Sequence, residues 1–246
     1  IRKFIKERPD FRQIRESRDI DLENSYGIIT SIEGLEVVED NLDLLDIFYE
    51  TGVRIIAPSW NRQTPWLTPV TEKGGGLSRL KELTDCLNGH RFILDISHLS
   101  DQSVFDFAKL YKGALIASHS NIRALNKQKR NLSDSLIDLL IDRNGLIGIN
   151  LYPVFLKSKT RAFKSSHRDY KFFSNIRYDY DYNETDVLKG IYPESVIWIY
   201  NIIEYLDKKN ALHLLALGTD FDGIGSYSPG LENYTGFIFL EKFLKA

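Results

Sequence analysis

The chain repeats one pattern, in which a short apolar run is followed by polar residues and then by a longer segment with helical periodicity. An apolar run of about five residues with polar residues on both sides is typical of a buried strand. Strands that alternate with helices pair in parallel, so the pattern predicts an α/β fold of the TIM-like (β/α) barrel type. The runs predicted as strands are residues 27–33, 53–58, 92–97, 114–118, 145–151 and 212–218.

Helices are predicted between these strands from the spacing of apolar residues and from polar start and glycine stop signals. The segment at 100–113 shows both signals, and another helix is expected to end at Gly89. Residues 1–24 are at best an amphipathic helix, whereas 156–186 form an irregular insert rich in aromatic and charged residues. Such an insert is usually a lid, a partner surface or a mobile loop. We expect one barrel domain over residues 1–246, a length that α/β barrels commonly reach.

Charge and composition exclude several classes of function. A net charge of −2 gives no electrostatic footprint for nucleic acid or a membrane surface, and no apolar run is long enough to span a bilayer. The single cysteine, Cys86, rules out an internal disulfide framework and indicates a reducing, cytoplasmic location. The chain contains no methionine, so we expect it to be incomplete at both ends.

Polar residues that can carry chemistry follow most of the predicted strands. In a parallel barrel the carboxyl ends of all strands face one rim, where active sites are built. Imidazole and carboxylate groups are common metal ligands, and several of them on one rim predict a metal-dependent hydrolase. The residues at these strand ends are Glu33, Trp60, Asn61, His98, His119, Asn150 and Asp220.

Several of the candidate residues also have a structural interpretation, which the pattern alone leaves open. Glu33 could lie beside a helix N-terminus, and Trp60 is more often a packing residue than a functional one. Asp220 and Asp222 could form a turn or supply a general base. Arg130 belongs to a basic cluster that could be solvated, or it could bind a carboxylate through two hydrogen bonds.

A series of motifs then points to one family. In chain order they are LDISHLSD from residue 94, IASHSNIRAL from 116, KRNLSD from 129, GLIGINLYPVFL from 145 and LGTDFDGI from 217. From about Gly27 to Leu231 the chain resembles the membrane (renal) dipeptidases, the M19 metallopeptidases. The resemblance implies a barrel of the metal-dependent amidohydrolase type with two divalent metal ions, expected to be Zn²⁺. It also implies hydrolysis of dipeptides, including some with a D-residue at the carboxyl end.

The resemblance assigns roles to individual residues through the same motifs. Glu33 resembles the carboxylate that bridges the two metal ions, and His98 and His119 resemble the two histidines of the second metal. Asp220 resembles the acidic residue that transfers protons beside the bridging water. Metal-assisted hydrolysis is the mechanism implied, in which two cations lower the pKa of a shared water and polarise the peptide carbonyl.

Substrate contacts follow from the resemblance as well, together with two departures from the family pattern. Arg130, followed by Asn131, resembles the arginine that binds the carboxylate of the substrate. Trp60 stands where animal members carry a substrate-contacting histidine, a variant similar to bacterial members. The family binds its first metal through a His-x-Asp pair on the first strand, and this chain lacks that pair on its first predicted strand.

Two other functions therefore stay open beside the dipeptidase. One is a catalytically impaired member of the family that lacks the first metal site and binds a ligand or partner. The other is an amidohydrolase that acts on a non-peptide amide or lactone, because a fold does not fix its substrate. The partner expected is a dipeptide substrate, with neither nucleic acid nor membrane, and a homodimer is left open.

Overall fold

Parallel strands and intervening helices make up most of the chain that the computed structural model describes. The described part comprises residues 2–20, 25–157, 171–172, 191–192, 194–233, 236–238 and 240–241. Most of the aromatic and charged insert predicted at 156–186 therefore lies outside the described residues. The chain divides into two compact units, Ile1–Ile116 and Ala117–Ala246. The single domain expected over residues 1–246 stays a prediction.

The first unit begins with a small parallel two-stranded sheet. Its elements are α1 (Arg2–Glu7), β1 (Phe11–Gln13), a 3-10 helix (Ser17–Ile20) and β2 (Tyr26–Ile28). The ring of Phe11 packs between Phe4 and Tyr26, with centroid distances of 5.1 and 5.2 Å. Among the described residues of 1–24 the α-helix is confined to α1, because β1 finds a strand partner that local periodicity does not reveal.

The main sheet of the first unit is parallel and positions the first candidate ligands. Its elements are β3 (Thr30–Glu33), a 3-10 helix (Leu35–Val38), α2 (Leu44–Thr51), β4 (Val53–Ala57), α3 (Leu80–His90), β5 (Ile93–Asp95), α4 (Asp101–Leu110) and β6 (Leu115–Ala117), whose last residue opens the second unit. The strands lie in the order β3-β4-β5-β6. Glu33 is in register with Ala57, and Asp95 with Ile116, so the carboxyl ends share one edge.

The second unit continues the alternation of strand and helix. Its elements are α5 (Asp134–Asp142), β7 (Leu146–Ile149), α6 (Pro153–Leu156), β8 (Lys171–Phe172), β9 (Ile191–Tyr192), α7 (Glu194–Lys208), a 3-10 helix (Leu212–Leu214) and β10 (Leu215–Leu217). Strands β7 and β10 pair in parallel, with Leu217 opposite Ile149, and β8 and β9 form a separate parallel pair. The carboxyl ends of β7 and β10 therefore also share one edge.

Three departures from the elements predicted by sequence pattern have an identifiable cause. The strand predicted over 27–33 is two strands, since β2 pairs with β1 and β3 pairs with β4. The first three residues of the strand predicted over 212–218 form a 3-10 helix instead. Helix α3 runs through Gly89 to His90, and Arg91 takes the left-handed conformation that ends it. The prediction that this helix ends at Gly89 was therefore wrong, because Arg91 rather than the glycine takes the left-handed conformation that ends it.

One strand–helix–strand unit is fixed at both ends by side-chain hydrogen bonds. At the start of α4 the Ser100 hydroxyl accepts a hydrogen bond from the backbone N–H of Ser103 at 3.1 Å, the cap that the Ser-Asp start predicts. At its end, the buried Tyr111 hydroxyl donates to the carbonyl of Phe92, the residue before β5. Burial raises the pKa of Tyr111 to about 12.

Helices α2, α3, α4, α5 and α7 each bury apolar side chains, and this packing stabilises the scaffold. A fully buried Leu, Ile, Val or Phe side chain contributes about 1.5–3 kcal/mol relative to an exposed one. Among the described residues, no helix combines the length and the apolar composition that crossing a membrane requires. The side chains with the least exposure on these helices are Leu45, Leu83, Leu87, Phe107, Ile137, Leu140, Val196, Ile199 and Leu206.

In the second unit two glycines bring neighbouring backbones unusually close together. A Cβ at Gly148, in β7, would lie 1.9 Å from the carbonyl oxygen of Ser118, and a Cβ at Gly218 would lie 2.0 Å from the same oxygen. The N–H of Ser120 donates to the carbonyl of Gly148 at 2.9 Å. The backbone on both sides of His119 is therefore held at a spacing that only glycine permits at these two positions.

This packing predicts opposite effects for two glycine-to-alanine substitutions. Gly148→Ala should lower the free energy of unfolding by about 1–3 kcal/mol, because the atom in its way is a backbone oxygen that cannot rotate aside. Gly89→Ala is the matched control, since nothing lies within 4 Å of its added methyl group. That variant should gain about 0.5–1 kcal/mol from alanine's higher helix propensity. Urea unfolding of both variants measures the two effects, and equal stability of the two would contradict the argument.

Candidate metal centre

Glu33 and His98 face each other at the carboxyl ends of β3 and β5. The Nε2 atom of His98 lies 2.8 Å from the Oε1 atom of Glu33. The imidazole is buried, with 6% of its side chain exposed, whereas 46% of the glutamate side chain is exposed. A carboxylate and a neutral imidazole are both metal ligands, and here one face of the pair is open to solvent.

The structure also bears on whether Glu33 belongs to the following helix. The 3-10 helix after it begins with Gly34 at its N-cap position and has no side-chain cap hydrogen bond. The Glu33 carboxylate pairs with His98 instead. The pair with His98 is compatible with the ligand interpretation of Glu33, which stays a prediction beside the helix-terminus interpretation.

Trp60 lies beside the same histidine. Its ring centroid is 6.3 Å from that of the His98 imidazole, and 51% of the residue is exposed. A tryptophan that only filled the core would be mostly buried. Its position next to His98 and its exposure are compatible with a functional interpretation, and its contact with substrate stays a prediction.

A buried acid that sequence reasoning did not select shapes the turn carrying His98. Asp95 is 5% exposed, and its Oδ1 atom accepts hydrogen bonds from the N–H and the hydroxyl of Ser97, at 3.0 and 2.6 Å. The carbonyl of His98 accepts from the N–H of Val70 at 2.8 Å. These bonds fix the backbone on both sides of the imidazole. The available signal was an aspartate inside the apolar run before Ser97-His98.

In the second unit, His119 follows β6 and is half-buried. Its Nδ1 atom lies 2.7 Å from the hydroxyl oxygen of Ser118. In the tautomer that carries its proton on Nδ1, this nitrogen donates to the hydroxyl, and Nε2 keeps the lone pair that a metal needs. A hydrogen bond from the second ring nitrogen is the usual way in which a ligating histidine is oriented.

Asn150 connects His119 with Asp220. Asn150 is fully buried at the end of β7, and its Nδ2 atom donates to the Asp220 Oδ2 atom at 3.1 Å and to the His119 carbonyl at 3.3 Å. Asp220 has a backbone φ of 59° and Asp222 one of 65°, so both take the left-handed conformation of a turn. The turn that the sequence allowed is present, and the carboxylate of Asp220 is held within it.

Arg130 and Asn131 lie in a loop that side-chain amides tie to α6. The Arg130 guanidinium carbon is 5.6 Å from the centroid of the Phe155 ring. Asn131 is 1% exposed, and its Nδ2 atom donates to the carbonyls of Asn126 and Phe155, both at 2.9 Å. Its amide thus supports the loop, and its contact with substrate stays a prediction. Arg130 is half-buried while Lys129 beside it is exposed, so the basic cluster is not uniformly solvated.

The His-x-Asp pattern of the family occurs once in the chain, away from its first predicted strand. A His-x-Asp tripeptide does occur in the chain, at His167-Arg168-Asp169. It belongs to the aromatic and charged insert rather than to a first strand, and it lies outside the described residues. No first-site role is assigned to it, and the first strand remains without that pair.

With the geometry described, the chain can be compared with known proteins. It is 31% identical over 153 residues to an uncharacterized protein in the PQQ-III 3' region of Acinetobacter calcoaceticus, covering 59% of this chain and 49% of that protein. It is 22% identical over 254 residues to Dipeptidase 3 of Rattus norvegicus, covering 100% of this chain and 46% of that protein. The chain thus spans about half the length of these curated relatives.

A solved structure and a family model cover nearly the whole chain. The crystal structure of a metallo peptidase from Rhodobacter sphaeroides, liganded with a phosphinate mimic of the dipeptide L-Ala-D-Ala, matches with a TM-score of 0.76. The two are 22% identical, and the match covers 97% of this chain and 63% of that one. This likeness confirms the α/β fold of the TIM-like barrel type. Because the model of the membrane dipeptidases matches residues 1–245, the chain belongs to peptidase family M19.

Proposed function

We propose that the protein is a metal-dependent dipeptidase that hydrolyses short peptides. The observation that carries the proposal is the pair formed by the Glu33 carboxylate and the buried His98 imidazole, in a chain that belongs to peptidase family M19. Burying an imidazole beside an acid at the end of a strand costs free energy, and functional sites are where such an arrangement is retained. We propose this activity, together with its substrates and its metal ion, for the whole protein.

A divalent metal ion is proposed to bind Glu33, His98 and His119, each of which offers one ligand atom. Strand register supports the set, because Asp95 and Ile116 are paired and each histidine lies three residues beyond its member of that pair. Two imidazoles and a carboxylate suit Zn²⁺, which we propose as the ion. When bound, two such ions would lower the pKa of a shared water and polarise the scissile carbonyl.

Asp220 is proposed to accept the proton of the attacking water and to pass it to the leaving amine. A carboxylate is suited to this role when it lies within hydrogen-bond reach of the proton and is held still. The hydrogen bond from Asn150 to one carboxylate oxygen supplies that restraint. The hydroxyl adds to the carbonyl carbon of the peptide, and the C–N bond then breaks as the amine leaves with the transferred proton.

Arg130 is proposed to bind the carboxylate of the substrate, which would explain a preference for dipeptides. A guanidinium group offers two parallel N–H donors that match a carboxylate. Its packing on Phe155 and the amide bonds of Asn131 restrict where this group can lie. We further propose that Trp60 forms a wall of the substrate site and that dipeptides with a C-terminal D-residue are accepted. The mimic of L-Ala-D-Ala bound by the Rhodobacter protein is consistent with that preference.

The two alternatives make different predictions from the dipeptidase. A catalytically impaired member of the family would bind at most one metal ion per chain and would hydrolyse nothing. An amidohydrolase for non-peptide substrates would bind metal and open cyclic amides or lactones while leaving dipeptides intact. Metal content per chain, together with a panel of L-L dipeptides, L-D dipeptides and cyclic amides, separates the three.

Removing either candidate histidine should abolish dipeptide hydrolysis. His98→Ala and His119→Ala each delete one imidazole ligand, so we expect metal content to fall and kcat/KM to drop at least about 10³-fold. His213→Ala is the matched control, because that histidine is exposed in the 3-10 helix before β10 and should change neither quantity. Metal analysis and peptide hydrolysis measure the two effects. Full activity of either ligand variant in a metal-replete assay would refute the assignment.

Arg130→Lys should show whether Arg130 binds the substrate's carboxylate through its two N–H donors or acts only through its positive charge. Lysine keeps the charge but loses the fork of two donors, so kcat/KM for a dipeptide should fall about 10²-fold, which corresponds to about 3 kcal/mol. The same dipeptide with an amidated carboxyl end should be hydrolysed about equally by both proteins. Lys129→Ala serves as the control within the same loop. An equal loss on both substrates would show that Arg130 does not bind the carboxylate.

A further inference from the structure

We propose that Asn150 and Gly223 are positioning residues that hold the Asp220 carboxylate in one orientation for proton transfer. The inference deepens the proposed function and rests on it, because it concerns the proton-transfer step of the same reaction. It is carried by two independent observations within the second unit, a hydrogen bond to one oxygen of the carboxylate and the space beside the other.

The first contact comes from an amide whose orientation is fixed. The Oδ1 atom of Asn150 accepts a hydrogen bond from the N–H of Tyr152 at 2.7 Å, so its Nδ2 atom must point the other way, toward Asp220. The backbone of Asn150 is clamped by Asn121, which accepts from its N–H at 2.9 Å and donates to its carbonyl at 2.8 Å. The amide is fully buried, and exchanging its oxygen and nitrogen would set oxygen against the Asp220 carboxylate and an N–H against the N–H of Tyr152.

The second observation is that Gly223 leaves room for the other oxygen of the carboxylate, Oδ1. The turn after β10 brings the N–H of Gly223 to 3.0 Å from the Asp220 carbonyl. A Cβ at Gly223 would lie 2.4 Å from the Oδ1 atom of Asp220. Any side chain at this position would therefore push the carboxylate out of place. Asp220 itself takes the left-handed conformation, which aspartate adopts more readily than most residues other than glycine.

The two oxygens of the Asp220 carboxylate therefore have different roles. Oδ2 accepts the hydrogen bond from Asn150, and Oδ1 is the oxygen that we assign to proton transfer, beside a residue with no side chain to cover it. Proton transfer depends steeply on the position of the accepting atom, and a displacement of about 1 Å can cost about 10²-fold in rate. Asn150 and Gly223 touch neither water nor substrate in this assignment, so their effect passes through Asp220.

Two exposed glycines of the same turn provide a matched test. Gly223→Ala should lower kcat for dipeptide hydrolysis about 10-fold to 10²-fold, with KM and metal content unchanged within twofold. Gly225→Ala is the control, because nothing lies within 4 Å of its added methyl group, and it should behave as the wild type. Both residues are exposed, so neither variant should affect folding. A Gly223→Ala protein with wild-type kcat would overturn the inference, as would an equal loss in the Gly225→Ala control.

A double-mutant cycle tests whether Asn150 acts through Asp220. Asn150→Ala should lower kcat at least about 10-fold in the wild-type background and less than about threefold in an Asp220→Asn background, because the proton acceptor is already lost there. The same factor in both backgrounds would mean that Asn150 acts independently and would overturn the inference. A wild-type protein that binds metal and hydrolyses no dipeptide overturns the proposed function itself. A hydrolysing wild type without this coupling overturns only the role of Asn150.

Discussion

The hydrogen-bonded register of the parallel strands is the constraint on which the candidate site depends. Glu33 ends β3, His98 lies three residues past β5, and Asp220 lies three residues past β10. Within each unit, parallel pairing aligns the carboxyl ends of neighbouring strands, so residues far apart in sequence reach the same edge of that unit without any local signal that joins them. A slip of one residue in any strand would turn its side chains to the opposite face and remove its contribution.

The site is held by buried polar groups rather than by apolar packing alone. Asp95 secures the turn before His98, Asn150 secures Asp220, and Asn131 secures the loop of Arg130. In each case a buried side chain bonds the backbone or a neighbouring acid, and these bonds fix the direction of the chain at that point. Rigid support of this kind is what a catalytic arrangement needs, because its reacting groups must be placed within a fraction of an ångström.

Sequence pattern predicted the alternation of strands and helices, since each strand is an apolar run whose length and borders are local properties. The motifs also supplied the family and the candidate ligands. Other features depend on partners distant in sequence, which no local periodicity contains. The division of the strand predicted over 27–33 follows from β1, and the need for Gly148 follows from the carbonyl of Ser118. The role of Asn150 emerges only when Asp220, seventy residues away, comes within hydrogen-bond distance.

The tyrosine that closes the strand–helix–strand unit around His98 sets an alkaline limit on that unit. Tyr111 must be protonated to donate to the carbonyl of Phe92, and burial raises its pKa from 10.0 to about 12 in the folded chain. Below pH 10 the phenol is neutral whether the chain is folded or not, and the hydrogen bond is fully retained. Between pH 10 and about 12 the unfolded chain releases this proton more readily than the folded one, so the unit loses stability as the pH rises. The strand–helix–strand unit that carries His98 therefore keeps the stabilisation from this hydrogen bond at neutral pH and loses it only in strong base.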